Sequence, residues 1–200
     1  MKKKIIIFLL IITGLIIISY TGWIIYQEAK KEKEGLVKYE HEKYYIIKDT
    51  PEGKIVENKH AGLSFKVPNN WKIKKPPTGI LDVIRLYSPN SEEKNGIIMK
   101  TGCRIIPEIS YVNTDISTIK KELSHNSIWS KYIVKTTNIK IKDYQGLKYV
   151  AESSELKFHH IGIILPAKDK VYSFSIDSNL EERTICSQLF DKFLKTVLIE

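Results

Sequence analysis

Arginine is scarce in this chain of 200 residues: Arg85, Arg104 and Arg183 stand against 29 lysines. Arginine is the side chain suited to bidentate phosphate and base contacts, so nucleic acid is the weaker partner despite a formal charge of +9. Cysteine is limited to Cys103 and Cys186, and neither lies near the N-terminal apolar run. That excludes a bacterial lipoprotein cleavage site there. There is no G-x-S-x-G elbow and no glycine-rich phosphate loop, the usual sequence marks of a hydrolase nucleophile and of a nucleotide cradle. Cys103 has no local pattern of a catalytic partner, and a single cysteine is weak evidence of a nucleophile.

Apolar residues, in contrast, are concentrated at the start. Lys2, Lys3 and Lys4 precede an uncharged run from Ile5 to Tyr26. As a helix this run would be roughly 33 Å long, enough for one crossing of a bilayer core about 30 Å thick. It exceeds the apolar stretch of a signal peptide and ends in Tyr20, Trp23 and Tyr26, aromatics suited to the membrane–water interface. Residues 1–26 therefore read as a retained transmembrane anchor. The three lysines favour a cytoplasmic N-terminus, which places the rest of the chain outside the cytoplasm. Residues 27–43 read as a charged stalk, with Glu34 and Lys38 spaced for a helical ion pair. Residues 44–200 are long enough for one domain. Without the first three lysines the chain carries 29 basic and 23 acidic residues, an excess of +6. Such an excess favours anionic lipid, anionic wall polymer or an acidic protein, although lysine and isoleucine bias in a genome would also produce it.

The pattern in 44–200 is mainly that of strands. Leu63, Phe65 and Val67 alternate with Ser64 and Lys66. Pro68-Asn69-Asn70 is a turn, followed by Trp71 and Ile73 alternating with lysines. Further strands are expected near Tyr44–Ile47, Leu81–Tyr87, Gly96–Ile106, Tyr132–Val134, Ile139–Ile141, Leu147–Ala151, Leu156–Leu165 and Val171–Ile176. Ser88–Asn95 reads as a polar loop, and turns are expected at Asn95-Gly96 and Tyr144-Gln145-Gly146. Asp115 is placed to cap a helix with Ile116, Ile119 and Leu123 on one face. A closing helix carries Cys186, Leu189, Phe190, Phe193, Leu194 and Val197 as an apolar stripe. Ser178 and Glu181 have capping-box spacing in front of it. These elements predict an α+β fold, an antiparallel sheet covered by helices.

The segment Gly62-Leu63-Ser64-Phe65-Lys66-Val67-Pro68-Asn69-Asn70-Trp71 resembles the opening of PsbP-like and DcrB-like domains. Tyr172-Ser173-Phe174-Ser175-Ile176 and the helix through Phe190 and Phe193 resemble their ending. The resemblance covers about 44–200 and implies an α/β/α sandwich around an antiparallel sheet. It brings no catalytic residues, and it implies binding to other proteins or support of a larger assembly. The anchor and stalk depart from the photosynthetic members, so a photosystem role is not implied.

Chemistry-bearing residues are few. His159 and His160 invite a metal reading with Glu152 and Glu155, but neighbouring strand residues point to opposite faces. Structural or surface histidine is the better reading, since metal sites need several convergent ligands. His41 and His60 have no readable partners, and Trp71 and Trp129 suit a core or its rim. Lys72, Lys74, Lys75, Lys135, Lys140 and Lys142 would make either a basic face or a solvated one. Outside the cytoplasm Cys103 and Cys186 could pair, but Cys186 falls on the apolar stripe of the closing helix and reads first as a core residue. The expected function is a non-catalytic, membrane-anchored interaction or assembly-support domain without cofactor or metal. Its expected partners are the membrane and a protein. The rivals are a basic domain binding anionic lipid or wall polymer and, last, an enzyme using the His159–His160 region or Cys103.

Overall fold

The computed structural model describes residues 44–74, 83–94, 98–125 and 130–200, and the backbone of Lys38–Tyr39. The expected anchor, most of the stalk, Lys75, Leu81, Asn95-Gly96 and Trp129 lie outside the described residues. No helix of the described residues is long and apolar enough to cross a membrane.

The first strand, β1, is Lys38–Tyr39. Next come β2 (Ile46–Thr50), β3 (Gly53–Asn58) and β4 (Leu63–Lys66). These form a meander turned by Pro51-Glu52 and by the loop before Gly62. The alternation of Leu63 and Phe65 with Ser64 and Lys66 is reproduced in burial, inward for the first pair and half-exposed for the second. Strands β5 (Lys72–Lys74), β6 (Arg85–Tyr87), β7 (Glu92–Lys94), β8 (Ile98–Thr101) and β9 (Cys103–Tyr111) follow. The expected polar loop at Ser88–Asn95 thus contains a strand, because β7 pairs with β8 as a separate two-stranded sheet. The expected strand across Gly96–Ile106 is broken at Gly102, whose φ of +73° no ordinary side chain adopts easily.

Helix α1 (Ile116–His125) begins as expected, with Asp115 Oδ1 accepting from the Thr118 N–H at 2.7 Å. Strands β10 (Ile133–Ile141), β11 (Tyr144–Ser153), β12 (Phe158–Pro166) and β13 (Val171–Asn179) are successive antiparallel neighbours. The two short strands expected within 132–141 are one. The polar stretch Lys135–Asn138 keeps its ladder with β11 and lies on the sheet edge, where polar side chains are soluble. The turn expected at Tyr144–Gly146 sits earlier, at Lys142-Asp143, with Lys142 at φ +51°. The closing helix is α2 (Arg183–Leu194), and a short β14 (Leu198–Ile199) returns to pair with β4.

The large sheet runs β10-β11-β12-β13-β9-β6-β5, with β1 also on β9. Its two faces carry different layers. Ile161, Ile163, Phe174, Ile176 and Ile105 share one face, where Phe190 and Phe193 of α2 and Phe65 of the small sheet complete the main core. The Phe65 and Phe193 rings meet edge-on, with centroids 5.3 Å apart. On the opposite face, α1 covers Leu147 and Tyr149 with Ile119 and Leu123. A helix on each face of an antiparallel sheet is the arrangement expected from the sequence.

Candidate functional site

Cross-strand register builds a polar row on the α1 face of the sheet. His160 stands opposite Asp177, Asp177 opposite Arg104, and Arg104 opposite Tyr87. Asp177 Oδ2 accepts from Arg104 Nε at 2.9 Å and Nη2 at 2.7 Å, and Oδ1 accepts from His160 Nδ1 at 2.6 Å. His160 Nε2 and the Tyr149 hydroxyl share a hydrogen bond at 3.0 Å. That hydroxyl reaches His160 because the Tyr149 ring lies over Gly162, where an added Cβ would stand 2.2 Å from ring atoms. Arg104 also donates to Glu93 of β7, whose carboxylate accepts from the Tyr87 hydroxyl at 2.8 Å. The row therefore clamps the β7–β8 hairpin to the large sheet through buried charge. Burial opposes the Asp177 carboxylate, but the hydrogen bond and charge of His160 and the charge of Arg104 outweigh it and hold its pKa below the usual range.

His159 points to the α2 face. Its Nδ1 donates to Glu152 Oε1 at 2.8 Å, and Ser187 Oγ of α2 lies 3.4 Å from Nε2. The order serine–histidine–glutamate has the connectivity of a hydrolase triad. The Ser187 hydroxyl, though, donates to the Arg183 carbonyl at 2.6 Å, so its proton is directed away from the imidazole. Ser187 lies inside α2, where neighbouring amides are used by helical bonds and none is left as an oxyanion donor. The arrangement anchors α2 to the sheet. Among the described residues, no three His, Cys, Asp or Glu side chains are grouped to hold a metal.

Burial lowers the His159 pKa against the opposing pull of Glu152. A histidine with a depressed folded-state pKa contributes stability that is fully present above its unfolded value, 6.5. That stability is lost as pH falls towards the folded value. The melting temperature should therefore begin to drop below about pH 6.5. The stability difference between the protein and its His159→Gln variant should shrink over the same interval, measured by thermal melts from neutral pH to about pH 5. A constant difference would assign the acid limb to another group. Asp177 acts lower, its contribution disappearing as pH falls below 3.8.

Beside the clamped hairpin lies a cleft of about 890 Å³. One wall is the β7–β8 hairpin with Lys94, Ile98 and Lys100, a second is the β11–β12 turn with Glu155, Leu156 and Lys157, and a third is the start of α2 with Arg183. Asn179 ties two walls together: its Nδ2 donates to the Lys100 carbonyl at 2.6 Å, and its Oδ1 accepts from the Glu182 N–H at 2.8 Å. Glu182 is the residue before α2 but makes no side-chain cap. Its carboxylate accepts instead from the Gly102 N–H at 2.6 Å. The capping box expected from Ser178 and Glu181 does not form, because Ser178 belongs to β13 and is buried there opposite Cys103. Cys103 and Cys186 are joined, with Cα atoms 5.8 Å apart, and fasten β9 to α2 beside the cleft.

The lysines singled out in the sequence do not form one basic face. Lys72 and Lys74 lie on β5 and Lys135 and Lys140 on β10, at opposite edges of the large sheet. Trp71 is buried at the core, and His60 stacks on Tyr44 with ring centroids 4.6 Å apart. The cations of the cleft were not legible in the sequence. They are scattered over 90 residues of polar segments, and only strand register brings them together.

No protein-family model and no curated protein matches the chain. Among solved structures it is similar to LpqN of Mycobacterium tuberculosis, described as involved in cell envelope biogenesis, with 11% identity over 86% of this chain and 95% of that one and a TM-score of 0.49. A protein from Bacteroides thetaiotaomicron VPI-5482 matches at 14% identity over 74% of this chain and 48% of that one, with a TM-score of 0.47. Cyanobacterial PsbP (CyanoP) from Synechocystis sp. PCC 6803 matches at 11% identity over 73% of this chain and 91% of that one, with a TM-score of 0.51. The mainly antiparallel sheet with its two helices thus has a PsbP-like fold.

Proposed function

We propose that this chain is a non-catalytic accessory domain, tethered by residues 5–26 to the cell membrane and exposed outside the cytoplasm, where it holds a protein partner. The observation that carries the reading is the cleft. It is braced by a disulfide, by Asn179 and by the Arg104–Asp177 clamp, and its rim cations lack ion-pair partners among the described residues. Arg104, Glu93, Asp177 and His160, and separately His159 and Glu152, are tied to one another as braces, and none of these six lines the cleft. A disulfide suits an oxidising compartment, which agrees with the orientation read from Lys2, Lys3 and Lys4.

The test is in-cell crosslinking of the full chain carrying an affinity tag after Glu200, with captured species identified by mass spectrometry. The expected result is a discrete membrane or exported protein. Absence of any such partner would remove this reading. A second reading has its own observation: Lys140, Lys142, Lys148 and Lys195 surround a groove of about 370 Å³ floored by Ile163, Leu194 and Val197. Binding of anionic lipid or wall polymer there would be strong at low salt and weak at high salt.

A further inference from the structure

Resting on the accessory-domain reading, we infer that the cleft beside α2 takes an extended acidic peptide segment of the partner, with carboxylates interleaved with apolar side chains. Lys94, Lys100, Lys157 and Arg183 reach the cleft from three separate parts of the fold. Among the described residues none of the four is ion-paired. The cleft lining thus carries four cations against the two carboxylates of Glu155 and Glu181, and an incoming carboxylate gains attraction without breaking an ion pair. Helix α2 starts in the same place with no acidic residue in its first turn, and its dipole adds positive potential there.

Shape and the remaining lining select the class of ligand. The cleft is about half open to solvent, which an extended chain requires and which departs from a largely enclosed small-molecule pocket. The same lining includes Ile98, Leu180 and Leu156, the last 42% exposed. Such apolar wall suits side chains alternating with acids along an extended peptide. Glu155 and Glu181 lie on the rim. A uniform polyanion would meet their repulsion, whereas a peptide can place neutral or basic residues opposite them.

The experiment is selection of a random short-peptide display library against the full chain in lipid nanodiscs, followed by affinity measurement of the enriched peptides. Enriched sequences should carry Asp and Glu interleaved with apolar residues. Their Kd should rise about tenfold or more in the K100E/R183E variant, roughly the loss expected for one or two charge pairs. It should stay unchanged in K140E/K148E, whose sites lie at the other groove. Leu156→Asp, in an exposed turn, is the independent check should the double reversal impair folding, and it should weaken the same peptides. Neutral or basic enriched sequences would overturn the inference. So would binding that survives these substitutions, or failure of any peptide to enrich while inorganic polyphosphate binds. A crosslinked partner whose contacts map away from the cleft would leave the accessory-domain reading standing and remove this one.

Discussion

Replacement of Arg104 by methionine is expected to cost about 3–5 kcal/mol, the usual consequence of removing one member of a buried ion pair. The side chain is 7% exposed and is shared by Asp177 and Glu93, which are themselves 13% and 19% exposed. Deleting the cation leaves two carboxylates near each other under little water. The loss is a large share of the roughly 5–15 kcal/mol that holds a typical domain together. Urea unfolding of the full chain and the variant measures it. Arg104→Lys should recover only part, because an ammonium cannot present the Nε and Nη2 pair to Asp177 while reaching Glu93. Pairing Arg104→Met with Asp177→Asn should cost less than the sum of the two single changes, since the second change removes the charge that the first exposes. A loss below about 1 kcal/mol, within the range of surface pairs, would mean that the row is solvated. The β7–β8 hairpin should lose hydrogen-exchange protection before the central strands, because Glu93 is its charged tie to the sheet.

Reduction of the Cys103–Cys186 bond, or its replacement by two alanines, is expected to cost about 2–5 kcal/mol. The crosslink joins residues 83 apart in sequence, and closing so long a loop removes much entropy from the unfolded chain. For a domain of this size the fall in melting temperature is roughly 2–4 °C per kcal/mol. Melts with and without reductant on the full chain, and on Cys103→Ala/Cys186→Ala under both conditions, separate the bond from side reactions. An unchanged melting temperature on reduction would mean that the bond constrains neither state. The same reduction bears on the cleft, because the crosslink and the Glu182–Gly102 hydrogen bond together hold the start of α2 against β9.

These two braces lie at different levels of legibility. A pairing of Cys103 with Cys186 was open in the sequence, where Cys186 also suited a core position. It proves to be 1% exposed as well as bonded. Arg104 carried no sequence signal. It stands in Cys103–Tyr111, a strand whose neighbours are mostly buried and apolar, and its partners lie 11 residues before it and 73 after. The adjacent histidines were correctly assigned to opposite faces by strand alternation, but their carboxylates, Glu152 and Asp177, come from two different neighbouring strands.

Local periodicity set the course of the chain: the alternation at Leu63–Lys66, the Asp115-capped helix, the apolar stripe through Phe190 and Phe193, and the strand-rich stretch after Ile133. Each follows from which side of one element must leave water, a property carried by neighbouring residues. The folded arrangement alone joined the two expected strands into β10, moved the hairpin turn to Lys142-Asp143 and left α2 without its capping box. It also assembled Lys94, Lys100, Lys157 and Arg183 around one cleft. Those outcomes depend on register between strands distant in sequence, and register is set by the summed packing of whole faces.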